Sequence, residues 1–246
     1  MTKTLILIPS RIAATRLPGK PLLKINNISI ISHVFKRAEE ANIGEVVVAT
    51  DDQEILKDVQ KNGGKAILTS KDHKTGTDRI YEAYTKLNIK EVDYILNLQG
   101  DEPNIDKNDI INLNNFMINH NTELGTLAAK IEDNRMLNNR NVVKVITDKK
   151  LEKNNFPKAL NFTRENLLKD NQNIYHHIGI YAYKVSTLET FINLDQTNSE
   201  KKNKLEQLRA LDNKLKINVA LAKSSPIGVD TEEDYLAIKK IMEYKI

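Results

Sequence analysis

Apolar residues along the chain gather into short blocks separated by segments of helical spacing. Leu5 to Pro9 is a compact Leu/Ile run of the kind that forms a strand buried on both faces. Ile30, Ile31, Val34, Phe35, Ala38 and Ala41 recur at intervals of three and four, which places them on one helical stripe. Val46 to Thr50 predicts a second strand, and Gln53 to Asn62 a helix stopped by Gly63 and Gly64. Lys65 to Leu68, Arg79 to Leu87 and Tyr94 to Leu98 continue the alternation as strand, helix and strand. This β-α-β-α order predicts an α/β protein with a doubly wound, mostly parallel sheet.

Beyond Asp106 the pattern loosens. Ile110, Leu113, Phe116 and Met117 predict a helix, whereas Thr126 to Ile131, Val142 to Thr147 and Ala159 to Thr163 read as strands without intervening helices. Ile178 to Tyr183 is a further strand, followed by helical stretches at Val185 to Leu194 and Leu205 to Leu211. Ile217 to Leu221 and a helix from Glu232 to Tyr244 complete the pattern. Consecutive strands of this kind predict a mixed or antiparallel extension on the sheet edge, roughly 124–220, serving dimerisation or substrate binding. With no repeat and no flexible linker, the expectation is a single domain over residues 1–246.

Composition narrows the class. With 40% hydrophobic and 28% charged residues, the balance is that of an ordinary globular chain. The apolar run at Leu5 is broken by Pro9 and Arg11, too soon for a leader or a span, and no later run reaches about 18 residues. The expected location is cytoplasmic, with no membrane partner. Zero cysteines remove disulfides, thiolate nucleophiles and Cys-based zinc sites from consideration. A net charge of +4, spread out and without tryptophan, gives little reason to expect a nucleic-acid partner. Asn residues between 104 and 155 alternate with Leu, Ile and Val, which suits polar faces and turns.

The candidate chemistry sits where open α/β sheets hold ligands, in loops at the carboxyl ends of strands. Ser10 to Lys20 follows the first strand and carries Arg11, Arg16 and Lys20. It matches neither a Walker A loop nor a GxGxxG turn, yet its guanidinium forks and ammonium suit a polyphosphate. On spacing alone a solvated surface loop explains it equally well. Gln99-Gly100-Asp101-Glu102-Pro103 follows the strand Tyr94 to Leu98, and Asp101 there is a candidate Mg²⁺ ligand. Turn formation accounts for a lone Asp at such a place as well, and Asp106 could serve it equally.

In Gly228 to Asp234, Thr231 and Asp234 fit a capping pattern for the last helix, which leaves Asp230 unexplained. If Asp230 met Asp101, the repulsion would be about 4 kcal/mol at ~4 Å with an effective dielectric near 20. Protonation or a bridging cation must answer it, and a divalent metal is the expected one. Gly76-Thr77-Asp78-Arg79 opens a helix, with Thr77 or Asp78 expected as its cap. Arg79 there has the wrong sign for the helix dipole, which suggests another task. Asp51 and Asp52 read as N-cap residues for the helix from Gln53. His177 and Tyr181, four apart on a strand, share a face. Glu206, Gln207 and Arg209 read as an exposed polar helix face.

These segments together resemble one family. Ile8 to Leu22, reading IPSRIAATRLPGKPL, closely resembles the N-terminal signature of the 3-deoxy-manno-octulosonate (KDO) cytidylyltransferases, also called CMP-KDO synthetases. The likeness continues in order through ATDD (Ala49 to Asp52), GTDR (Gly76 to Arg79), NLQGDEP (Asn97 to Pro103) and VVKV (Val142 to Val145). HIGIYAY (His177 to Tyr183), LEQLRAL (Leu205 to Leu211) and GVDTEED (Gly228 to Asp234) complete it. Each string is weak alone, and the ordered set is specific.

The resemblance implies an α/β nucleotidyltransferase fold with a small antiparallel extension, a homodimer, and transfer of CMP from CTP to KDO for the lipopolysaccharide inner core. It implies that Arg11 and Lys20 hold the CTP phosphates, with Ser10, Arg79 and Gln99 framing the nucleotide. Asp101 and Asp230 would carry Mg²⁺, and Arg164, His177, Tyr181, Glu206 and Gln207 would line the acid-sugar pocket. The family pattern breaks after Phe162-Thr163-Arg164, where Glu165-Asn166-Leu167-Leu168 lacks the usual proline. That departure bears on the sugar, and a relative such as 8-amino-KDO is the alternative acceptor.

Overall fold

A computed structural model describes residues 2–13, 16–166, 173–223 and 225–244. The first half runs β1 (Thr4–Ser10), a 3-10 turn (Lys20–Leu22), β2 (Lys24–Ile25), β3 (Ile28–Ser29), α1 (Ile30–Glu40), β4 (Gly44–Thr50) and α2 (Gln53–Lys61). Next come β5 (Ala66–Leu68), α3 (Gly76–Leu87), β6 (Tyr94–Asn97), α4 (Lys107–Asn119), β7 (Leu124–Ala129), α5 (Asn134–Asn138) and β8 (Lys144–Thr147). The remainder is β9 (Ala159–Thr163), β10 (Asn173–Lys184), α6 (Val185–Ile192), α7 (Asn198–Asn203), α8 (Gln207–Asp212), β11 (Ile217–Leu221) and α9 (Glu232–Tyr244). The chain divides into two compact units, Met1–Ile111 with Pro226–Ile246, and Asn112–Ser225.

In the first unit β6, β1, β4 and β5 lie side by side, all parallel. Leu5, Ile6, Leu7 and Ile8 are buried, as a strand covered on both faces requires. The chain moves from β1 to β4 to β5 and then returns to the other flank of β1 with β6. The strand order therefore reverses at the β1/β6 boundary, the place where a doubly wound sheet leaves a crevice. The helices α1, α2 and α3 pack on these strands. Ser29 caps α1 by accepting from the Ser32 N–H, and Asp52 caps α2 by accepting from Glu54 and Ile55. The last helix, α9, adds Val229 and Ile238 to a buried cluster with Ile25 and Ile30, and burial of each such side chain contributes about 1.5–3 kcal/mol. That cluster fixes the segment just before α9, which holds Asp230.

In the second unit β10 is the spine. It pairs antiparallel with β7 on one side and β8 on the other; β11 runs parallel beside β7, and β9 antiparallel beside β8. Mixed pairing here and parallel pairing in the first unit give the expected α/β class.

Several boundaries differ from expectation for local reasons. The helix α3 begins at Gly76 rather than Arg79, and its cap is Thr75, not Thr77 or Asp78. Thr75 and Asp78 form a reciprocal capping box, with Asp78 in the third helical position. β10 starts at Asn173, five residues before Ile178, and holds His176, His177 and Tyr181, the strand placement expected of them. The short helices α5 and α7 and the β2–β3 hairpin were not anticipated. In that hairpin Asn26 and Asn27 supply the two positive φ values, 48° and 64°, that a tight turn demands.

Candidate active site

Both strand-end loops flagged in the sequence open on one cavity of about 330 Å³ in the first unit. Ser10, Arg11, Lys20, Arg79, Gln99, Asp101 and Asp230 all line it, as does Arg16. Two glycines make this possible. Gly19 holds φ at +71°, turning the basic loop into the 3-10 turn that presents Lys20. At Gly100 a Cβ would lie 2.8 Å from the Pro9 carbonyl oxygen, so only glycine lets this backbone run so close to the end of β1.

Lys20 is the hub. Its Nζ donates to Asp101 Oδ2 at 2.6 Å, to the Val229 carbonyl at 2.8 Å and to Asp230 Oδ1 at 3.2 Å. Arg16 Nη2 reaches the other oxygen of Asp230 at 2.9 Å. Asp101 and Asp230 therefore converge on one ammonium. The Lys20 ammonium lies between the two carboxylates and offsets part of their repulsion. Burial by itself would lower the Lys20 pKa; Asp101 and then Asp230 outweigh it and hold it above the usual value. The backbone completes the junction, with Val229 N–H donating to the Asp101 carbonyl at 2.9 Å. Thr231 and Asp234 cap α9 reciprocally, so Asp230 stands just outside the helix. Beside Asp101, burial pushes the Glu102 carboxyl up to about 8, with the Asp101 charge adding to it.

Arg79 is buried, and its guanidinium donates to Thr69 Oγ1 at 2.6 Å, the Ser70 carbonyl at 3.2 Å and Asp51 Oδ2 at 3.1 Å. Asp51 thus has a different task from the capping expected of it; Asp52 alone caps α2. The sequence reading missed His73, Lys74 and Thr75 on the cavity wall. His73 is held through Nε2 by Glu82 of α3. A search of the loop after β5, at the same strand end as the other two loops, finds these residues.

The second unit carries the other predicted residues. The rings of His177 and Tyr181 lie 5.5 Å apart on β10, and Phe162 meets His177 edge-on at 5.0 Å. His177 Nε2 and Thr126 Oγ1 are 3.1 Å apart. Burial, with a smaller contribution from His176, lowers the His177 pKa to about 3, so the imidazole is neutral at pH 7. The Tyr181 hydroxyl is buried without a hydrogen-bond partner among the described residues, and burial raises its pKa, with Tyr183 and Glu206 adding. Glu206 and Gln207 stand at the start of α8. The exposed polar face expected there is absent, because Gln207 and Arg209 are buried. Arg209 forms a bidentate pair with Glu200 at 2.6 and 2.9 Å and stacks over Phe191 at 4.8 Å. Arg164 directly follows β9 and donates to the carbonyls of Arg140 and Asn141 at 3.2 and 3.4 Å. Of the segment where the family pattern breaks, Leu167 and Leu168 lie outside the described residues.

The first cavity offers cations for a polyanion and two carboxylates converging on a single cation. The second unit offers a neutral imidazole, a phenol, a carboxylate and a guanidinium, the donors and acceptors of a polar acidic ligand. Among the described residues no cluster of three or more His, Asp or Glu could hold a metal, and no helix is long and apolar enough to cross a membrane.

Comparison with known proteins supplies a family. Residues 5–217 match a family model described as Cytidylyltransferase. A 3-deoxy-manno-octulosonate cytidylyltransferase of Thermodesulfovibrio yellowstonii is 45% identical, over 97% of this chain and 98% of that protein. Its namesake in Rhodopseudomonas palustris is 42% identical, over 99% of each. Among solved structures, a CMP:2-keto-3-deoxy-manno-octonic acid synthetase in complex with CTP superposes with a TM-score of 0.90. It is 34% identical and covered in full by this chain.

Proposed function

The chain belongs to the 3-deoxy-manno-octulosonate cytidylyltransferases, and from that membership we propose that it transfers CMP from CTP to the anomeric hydroxyl of KDO, releasing pyrophosphate. The observation that carries the reading is the cavity at the β1/β6 boundary, where Arg11, Arg16 and Lys20 face Asp101 and Asp230. A nucleoside triphosphate needs such cations, and its transfer chemistry needs carboxylates beside them.

Arg11 binds the triphosphate, and Arg79 with Ser10 and Gln99 frames the nucleotide. Lys20 spends its three N–H groups on Asp101, Val229 and Asp230, so it grips phosphate by trading one of these bonds. Asp101 and Asp230 would hold Mg²⁺, which takes one or two carboxylates together with phosphate oxygens and water. When bound, the ion lowers the pKa of the attacking hydroxyl and neutralises charge on the reacting oxygens. Arg11 and Lys20 then stabilise the departing pyrophosphate. In the second unit Arg164 meets the sugar carboxylate. Neutral His177, Tyr181, Glu206 and Gln207 hydrogen-bond its hydroxyls; no side-chain nucleophile is used. We assign the product to the lipopolysaccharide inner core, and the protein to the cytoplasm as a homodimer.

The break in the family pattern at Glu165 supports a second acceptor, 8-amino-KDO. The test is incubation with CTP and Mg²⁺ and either sugar, with pyrophosphate assayed and the product identified by mass spectrometry. CMP-KDO as the preferred product is expected. Preference for the amino sugar transfers the assignment to it, and turnover of neither contradicts the reading.

A further inference from the structure

The motif Val142 to Val145 belongs to the family pattern, yet nothing above gives Lys144 a task. It opens β8 and is 1% exposed. Its Nζ donates to three backbone carbonyls, those of Asn139 at 3.1 Å, Val142 at 2.9 Å and Arg164 at 2.8 Å. Three acceptors match the three N–H groups of an ammonium. Burial lowers the Lys144 pKa and the Arg164 guanidinium adds to this, so the charge is held at a cost that the carbonyls offset.

The arrangement interlocks with Arg164. The guanidinium of Arg164 takes the carbonyls of Arg140 and Asn141. Four successive carbonyls, 139 to 142, are therefore held by two side chains, and Lys144 also holds the carbonyl of Arg164 itself. The turn is braced from within, Asn141 N–H donating to Asn139 Oδ1 at 2.9 Å and Val142 N–H to the Asn139 carbonyl at 3.2 Å. In register Lys144 faces Thr163 on β9 and His176 on β10, next to Arg164 and His177.

We infer that Lys144 is a positioning residue for acid-sugar recognition: by tying the carbonyl of Arg164 to the turn 139–142, it fixes where the guanidinium starts and which way it points. The inference rests on the reading of Arg164 as the residue that meets the sugar carboxylate. It also explains how the sequence after Arg164 can depart from the family pattern, because the anchor lies upstream.

Steady-state kinetics with CTP and KDO on Lys144→Met, Arg164→Ala and the double variant provide the test. Lys144→Met keeps the bulk and removes the donors. Its KM for KDO should rise about tenfold or more, the scale of one lost charge-assisted hydrogen bond, while KM for CTP stays within about twofold. The double variant should be no worse than Arg164→Ala alone, since Lys144 acts through Arg164. A purely structural role would lower the apparent kcat and leave both KM values in place; that result, or additive effects in the double variant, overturns the inference. An unchanged KM for KDO in Arg164→Ala overturns the sugar-pocket reading beneath it instead. Should Lys144→Met fail to fold, Lys144→Gln, which retains two N–H donors, is read by the same criteria.

Discussion

Arg79 stands in the first turn of α3, the helix end where a positive charge is least favoured. Its position makes sense only with its partners: Asp51 from the end of β4, and Thr69 and Ser70 from the end of β5. A guanidinium fixed from three sides is pre-organised, so little entropy would remain to be lost on meeting the nucleotide proposed for this cavity. Breaking a buried pair strands the remaining charge. Asp51→Asn is therefore expected to destabilise the protein by about 3 kcal/mol, the low end for such a loss, and to weaken CTP binding. Urea denaturation reads the first effect and CTP titration the second; a stability unchanged within about 0.5 kcal/mol would mark Asp51 as an ordinary surface residue. Spacing hinted that Arg79 serves something other than its helix, but not what. Neither Asp51 nor Thr69 is near it in the sequence, so the pair exists only once parallel strands place their ends together.

Elements were legible where their own residues decide them. β9, β11 and α9 fall where the apolar pattern puts them. α3 was shortened because the expected cap was sought inside the helix; the Thr75–Asp78 box lay one step upstream. α5 and α7 escaped because they are only 5 and 6 residues long, too short to show a repeating apolar stripe, and α7 is wholly polar. For α7 a signal existed, since Thr197 and Glu200 have capping-box spacing. Glu200 also receives Arg209, a contact across sequence that buries both residues and overrules the exposed face their polarity suggests. The loops after β1 and β6 were found by the strand-end rule. The loop after β5 obeys the same rule and was overlooked, and with it His73 and Lys74. Spacing could bring Asp101 and Asp230 into suspicion, but not reveal that Lys20 stands between them.

For the molecule as a whole, acid is the weak side. Burial, then His176, lowers the folded pKa of His177 to about 3. Between the unperturbed value near 6.5 and about 3 the unfolded chain binds a proton that the folded chain refuses, so stability is full above that window and falls as pH falls through it. Glu82 acts in the same direction at lower pH. Burial would raise its pKa, but Lys86, the Ser70 N–H and His73 bring it down to about 2. Its contribution is present above its ordinary value and is lost as pH drops towards 2. Denaturation midpoints measured from pH 7 to pH 4 should fall steadily in the wild type and less steeply in His177→Asn. Parallel profiles would show that the folded imidazole is protonated like a free one.

The central claim is that the two carboxylates gathered on Lys20 are the seat of CMP transfer. Its most direct test is Mg²⁺-dependent pyrophosphate release from CTP and KDO by Asp101→Asn, with folding verified by its thermal transition. The account predicts a folded variant whose turnover is lower by about three orders of magnitude, a transition-state loss near 4 kcal/mol. Turnover close to that of the wild type, with unchanged Mg²⁺ dependence, would contradict it.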